Sequence, residues 1–328
     1  MTGRIRRAAA VVIILAAAAA FSGCDPPAAN NDAKFKVVCT IFPIYDWTRR
    51  IIGDNTREFE LTLLLNNFID LHNYQPSVKD VARISGCDLL ICVGGVSDGW
   101  VDGVVRQAAN KNIAVIKLLE RLGDAAKTEG SAEGAEGGHE HGADEDGHGD
   151  EYDEHVWLSL INARLFCAAI AETLAALDVD DADIYVNNAA AYMARLSELD
   201  RLYRETVDAA PVKDLLFGDR FPFRYLLDDY GLNYHSVFAG CSAETEASFQ
   251  TIVRAAETLD ALRLKYVLVT EDSDKKIAET VIRESRAKDQ KILVLNAVQS
   301  VAPSDIASGA TYLDIMQKNL EILREALN

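Results

Sequence analysis

Residues 181–211 read DADIYVNNAAAYMARLSELDRLYRETVDAAP. Tyr185, Ala189, Tyr192, Leu196, Leu199 and Tyr203 recur at spacings of four, three, four, three and four, which traces one stripe along an α-helix. With Asp181 or Asp183 as cap and Pro211 as stop, the spacing predicts a rod of roughly 40 Å at about 1.5 Å per residue. A stripe says only that one side is buried, so the rod either packs within one domain or bridges two.

Its flanks favour the bridge. Before it, the β-branched runs Lys36–Phe42, Phe59–Leu65, Asp88–Val93 and Ile113–Leu118 are separated by helix-compatible stretches at Pro43–Ile52 and Ser77–Ile84. Pro43 suits a first helical turn, Gly53 closes that helix, and Ser77 with Asp80 resembles a capping box. After it, strand-like runs at 214–218, 233–238, 265–270 and 291–296 alternate with helical stretches at 245–262, 274–287 and 311–326. The predicted fold is α/β: two parallel-sheet domains, 35–180 and 211–328, joined by one long rigid helix over 181–210.

The chain begins differently. Arg4, Arg6 and Arg7 precede an apolar run from Ala8 to Phe21, and Ser22 and Gly23 lead into Cys24. About 14 apolar residues fall short of the roughly 20 that a membrane span needs. Residues 1–24 therefore read as an export signal; a cysteine directly after Ser-Gly resembles the lipobox of a bacterial lipoprotein, which would leave Cys24 lipidated, with simple cleavage and secretion as the alternative, and 25–34 read as a tether. Removing the signal takes away three arginines and no acid, so the net charge of −18 becomes −21. Such an acidic protein excludes nucleic acid as a partner. The other cysteines, at 39, 87, 92, 167 and 241, are odd in number and lack a CxxC. Most lie in apolar segments, and export leaves room for one disulfide that spacing does not assign.

Between Thr128 and Glu154 there is no lysine or arginine, and glycines and carboxylates dominate. This segment reads as a mobile acidic loop. His139, His141 and His148 lie within it, half of the six histidines in the chain, in a composition that holds Zn²⁺ loosely. His155 differs, because the apolar VWLSLI follows it and fixes its position, and Asp153 is placed to orient or supplement it. His72 lies in the polar segment after the strand FELTLLL, at a strand's carboxyl end, where open α/β sheets place their ligands. A hydrogen bond within the loop is its competing role. His235 falls within a strand-like run and reads as structural.

Taken together, TIFPIYDW (40–47), DLHNYQPSVKDVARISGCDLLICVGG (70–95), the His-rich loop ending in DEHVWLSLINA (153–163) and YVNNAAAYMARLSELD (185–200) resemble the metal-binding lipoproteins of bacterial ABC importers, the zinc and manganese solute-binding proteins. The resemblance runs from about Phe35 to the C-terminus. It implies two α/β domains joined by one long helix with metal in the cleft between them. His72 matches the first metal histidine and His155 the second. Zn²⁺, or alternatively Mn²⁺, would be transported cargo, and the partners would be a permease and its ATPase, with the membrane reached through the lipid anchor. The protein would be monomeric and extracytoplasmic, and not an enzyme.

The C-terminal half departs from the family pattern. FGDRFPFRYLLDDYGL carries Asp219 and Arg220 where the family usually has a His or Glu, and LNAVQS carries Asn296 where many relatives place an aspartate. Carboxylates are the remaining candidates for a metal that takes about four ligands: Asp219 first, for its place, then Glu271 and Asp272. Alternatively two histidines, water and a loop residue complete the sphere. Arg220 near a dication is unfavourable unless it turns away or pairs with an acid such as Asp228 or Asp229. Competing functions are a surface metal buffer or adhesin and a zinc-dependent hydrolase, the latter without an HExxH, GxSxG or P-loop motif to support it.

Overall fold

The structure, a computed structural model, describes residues 34–55, 58–66, 69–128, 152–238, 247–299 and 301–328. Strands β1 (Phe35–Cys39), β2 (Phe59–Leu63), β3 (Leu89–Cys92) and β4 (Ala114–Lys117) form one parallel sheet in the order β2-β1-β3-β4. Strands β5 (Asp214–Phe217), β6 (Asn233–Ser236), β7 (Tyr266–Val269) and β8 (Lys291–Val294) repeat that order as β6-β5-β7-β8, also parallel. In each sheet the chain steps from the first strand to one side, then crosses to the other. The switch points therefore lie between β1 and β3 and between β5 and β7, and crevices open there at the strands' carboxyl ends.

Helices α1 (Phe42–Ile52), α2 (Val78–Ser85), α3 (Val101–Gln107), α4 (Leu118–Leu122) and α5 (Leu160–Leu177) belong to the first lobe. The long helix α6 (Ala182–Ala209) follows, and then α7 (Arg224–Asp229), α8 (Phe249–Ala261), α9 (Lys276–Glu284), α10 (Pro303–Ala307) and α11 (Tyr312–Ala326). Strand β1 stops short of its predicted end because Phe42 and Pro43 already form the first turn of α1. Ser77 and Asp80 make the full capping box that starts α2. Helix α5 left no stripe to read, since Leu160, Ala163, Phe166, Cys167, Ala169, Ile170, Ala171 and Leu174 are all buried and its apolar residues run almost all round.

The stripe on α6 is buried as expected, from Tyr185 to Tyr203. At its start, Asn188 donates to the Ile51 carbonyl (3.0 Å) and Asn55 donates to Asp181 (2.6 Å). Near its end, the Tyr203 hydroxyl donates to the Met316 carbonyl (2.7 Å) in α11. The helix thus bridges the two lobes. Direct ties reinforce it: the Tyr312 N–H donates to buried Asp46 (2.9 Å), and its hydroxyl to the Trp157 carbonyl (2.7 Å). The Trp157 indole in turn donates to the Ala297 carbonyl (2.8 Å), while Trp47 meets the Tyr312 ring edge-on at 5.1 Å. One hydrophobic core runs through these residues, so both lobes are parts of one packed body. Cys39, Cys87, Cys92 and Cys167 are buried free thiols, and no disulfide occurs among the described residues.

Gly218 follows β5 and sets the start of the second lobe's crevice. A Cβ there would lie 2.8 Å from both Ala278 Cβ and Val267 Cγ1, inside van der Waals contact. Gly218→Ala is expected to lower the free energy of urea unfolding by about 1–3 kcal/mol, the usual cost of overpacking. An unchanged midpoint would contradict the tight approach of α9 to β5.

Candidate metal centre

Two short turns carry the two singular histidines. Asp70 caps the turn Leu71–Asn73, its Oδ1 accepting the His72 N–H at 3.0 Å, and fully buried Leu71 anchors it. His155 precedes the turn Val156–Leu158, whose three side chains are buried, and is itself only 1% exposed. The loop 129–151 lies outside the described residues, with His139, His141 and His148, but its ends are joined. Thr128 bridges to Tyr152 in antiparallel fashion, and the Asp153 N–H donates to the Lys127 carbonyl at 2.8 Å.

The two rings meet. Nε2 of His72 lies 3.3 Å from Nε2 of His155. Two nitrogens bound to one tetrahedral zinc at about 2.0–2.1 Å lie about 3.3 Å apart, so one ion between these rings would need little movement of either. The far nitrogens face oxygen. Asp153 Oδ1 lies 2.8 Å from Nδ1 of His155 and also accepts that residue's backbone N–H (2.9 Å), so Asp153 orients the ring. Nδ1 of His72 lies 3.0 Å from Ser97 Oγ and 3.5 Å from Glu154 Oε2. With protons on both Nδ1 atoms, the two Nε2 atoms would carry lone pairs, the tautomer in which imidazole binds metal.

Glu154 is held from behind. Its Oε1 accepts the Ser97 N–H at 2.8 Å, which turns Oε2 toward His72. Gly95 makes this possible, since a Cβ there would lie 2.3 Å from Glu154 Oε1, and its φ of +79° suits glycine. Neither Ser97 nor Glu154 stood out in the sequence. The only signals were the glycine pair after β3 and an acid beside His155.

Across the crevice, Asp219 and Arg220 follow β5 and Glu271 and Asp272 follow β7. His72, Arg220 and Glu271 line one cavity of about 50 Å³ together with Asp70 and Gln299. A single water needs roughly 10–15 Å³, so an ion and a few waters fit. Burial raises the Glu271 carboxyl above its ordinary range, only partly offset by the Ala297 N–H that its Oε2 accepts at 2.8 Å. Asp219, the first carboxylate candidate from sequence, does not line this cavity. Its Oδ2 accepts the Thr270 hydroxyl (3.2 Å) and its Oδ1 the Arg220 N–H (2.8 Å). Asn296 is also turned away, accepting the Val298 N–H within its own loop at 2.7 Å. Arg220 pairs with Asp70 (2.6 Å) and Asp272 (2.8 Å), not with Asp228 or Asp229. Asp228 is engaged by Lys127 at 2.6 Å, and Asp229 accepts the Ser159 hydroxyl at 2.6 Å. His235 stands apart on β6, with Nε2 3.8 Å from Asp214 on the adjacent strand. Among the described residues, no group of three or more His, Cys, Asp and Glu converges.

Two α/β lobes on one long helix, with a polar crevice at their switch points, have the architecture of a solute-binding protein. The sequence profile of the family described as "ZnuA: Zinc-uptake complex component A periplasmic" matches residues 37–326, and the chain belongs to this family. It is 31% identical over 294 residues to the zinc-binding lipoprotein AdcA of Streptococcus pneumoniae, covering 90% of this chain and 56% of that protein. Identity to the high-affinity zinc uptake system protein ZnuA of Bacillus subtilis is 28% over 295 residues, covering 90% and 88%. The chain thus spans about half the length of the streptococcal relatives. Among solved structures, the metal-dependent lipoprotein YcdH of B. subtilis superposes with a TM-score of 0.72 at 26% identity, covering 90% of this chain and 99% of that one. The Zn(II)-bound ZnuA-like domain of S. pneumoniae AdcA gives 0.68 at 27% identity, with the same coverage.

Behind the site, Asp98 accepts the N–H groups of Val93 (2.8 Å) and Gly94 (3.0 Å). Burial nevertheless pushes its carboxyl from the ordinary 3.8 to about 6; the Gly94 bond opposes the shift, and nearby Glu154 adds to it. A folded-state value above the unfolded one means that the fold binds this proton more tightly. Its stabilising contribution is complete below the unfolded value and is lost as pH rises through about 6. Asp98→Asn is expected to remove that loss, so its unfolding free energy relative to wild type should rise between about pH 4 and pH 6.5. A wild-type-minus-variant difference that is flat over this range in urea titrations would contradict the assignment.

Proposed function

We propose that this chain captures Zn²⁺ between its two lobes outside the cytoplasmic membrane and delivers it to an ABC permease driven by a cytoplasmic ATPase. The observation that carries this reading is the 3.3 Å separation of the two Nε2 atoms, each ring backed by a carboxylate. Membership in a family of zinc-uptake components, rather than of enzymes, supports it. His72 and His155 are the nitrogen ligands in this proposal, and Glu271 is the carboxylate best placed to complete the sphere, since it lines the cavity with His72 while the other two carboxylates there, Asp70 and Asp272, are paired with Arg220. Asp219 is a weaker choice because both of its oxygens are engaged elsewhere. Water takes the remaining position.

The rest of the chain fits the same scheme. Residues 35–180 and 211–328 act as the two domains and 181–210 as their link. Residues 1–24 export the protein and leave Cys24 lipidated, which keeps a monomer beside its permease. His139, His141 and His148, on a segment whose ends are pinned two residues before His155, raise local metal concentration near the crevice. Nitrogen and carboxylate ligands also accept Mn²⁺, but intrinsic affinity favours zinc.

Chelator competition on protein lacking residues 129–151 tests the site. One zinc per chain should remain, and His72→Ala should weaken it by more than about 100-fold, beyond the 10–100-fold that losing an outer partner costs. Retention of tight binding by His72→Ala, or its loss with the loop alone, would sink the crevice assignment.

A further inference from the structure

Arg220 stands at the crevice as its cation, and its contacts span both lobes. One guanidinium nitrogen lies 2.6 Å from Asp70 Oδ2, in the first lobe, and the other 2.8 Å from Asp272 Oδ2, in the second. Asp70 is the residue that caps the turn carrying His72, and its Oδ1 also accepts the Gln299 amide at 3.3 Å. We infer that Arg220 is a positioning residue for zinc binding: through Asp70 it fixes the turn that presents His72, and through Asp272 it ties that turn to the opposite lobe. This rests on the zinc reading above and deepens it.

Two effects of Arg220 on a bound dication oppose each other. As a like charge lining the same cavity as His72 and Glu271, it repels zinc. As a clamp, it pre-orders a ligand that would otherwise have to be immobilised on binding. The charge effect is the smaller one, because two carboxylates within 3 Å overcompensate the guanidinium. The clamp therefore dominates, and geometry matters more than sign. A planar fork reaches two carboxylates at once, whereas a lysine ammonium is a single compact charge.

The test measures zinc affinity by chelator competition at about 0.15 M salt, with hydrogen exchange of the metal-free protein alongside, for wild type, Arg220→Gln and Arg220→Lys. Arg201→Gln, which removes an exposed arginine paired with Glu198 and Glu205 on α6, controls for the change in net charge. Arg220→Gln is expected to weaken zinc about tenfold, the scale of one lost charge-assisted pair, and to speed exchange at both 69–74 and 271–274. Arg220→Lys should recover part of the affinity and Arg201→Gln should match wild type. Zinc binding by Arg220→Gln as tight as wild type or tighter, or unchanged exchange at either segment, overturns the assignment and leaves Arg220 as a competing charge. Absence of zinc binding by the wild type would sink the metal reading instead, while the exchange result would still decide the clamp.

Discussion

The Nε2 atoms of His72 and His155 face each other at 3.3 Å, and the surrounding structure keeps them there. Asp153 grips His155 by ring and backbone together, while Glu154 and Ser97 hold the far side of His72. Gly95 exists to let Glu154 approach, and Leu71 and Trp157 bury the roots of the two turns. The strands supply the frame, since both lobes end their central strands at the same crevice.

The lobes themselves have little freedom. Tyr312 reaches Asp46 and Trp157, Trp157 reaches Ala297, and the Phe42 N–H donates to the Gln299 carbonyl at 3.3 Å. With α6 fastened near both ends, a wide hinge motion would break a shared core. The crevice rim is less enclosed, with Arg220, Asp272 and the His72 turn partly exposed.

Much of this was legible in the sequence because it rests on periodicity. The stripe from Tyr185 to Tyr203, the β-branched runs and the Ser77 capping box each carry a local signature, and α6 and both sheets followed from them. Helix α5 escaped because a helix buried almost all round has no periodic stripe. The places of His72 and His155, at a strand end and a loop end, were readable, and the fold brings the two rings together. The second lobe was not: which carboxylate faces the crevice depends on side-chain hydrogen bonds, such as that between Asp219 and Thr270, which spacing does not encode. The partners of Arg220 were misjudged for a related reason. Asp228 and Asp229 are nearer in sequence, but Lys127 and Ser159 engage them, and the guanidinium turns to Asp70 and Asp272.

X-ray absorption at the zinc edge, on zinc-loaded protein lacking residues 129–151, counts the imidazoles around the bound ion most directly. Two histidine nitrogens at about 2.0 Å, with oxygen completing the sphere and no sulfur, is the result the account predicts. A sphere holding one imidazole or none would contradict it, because His72 and His155 would then not share the ion.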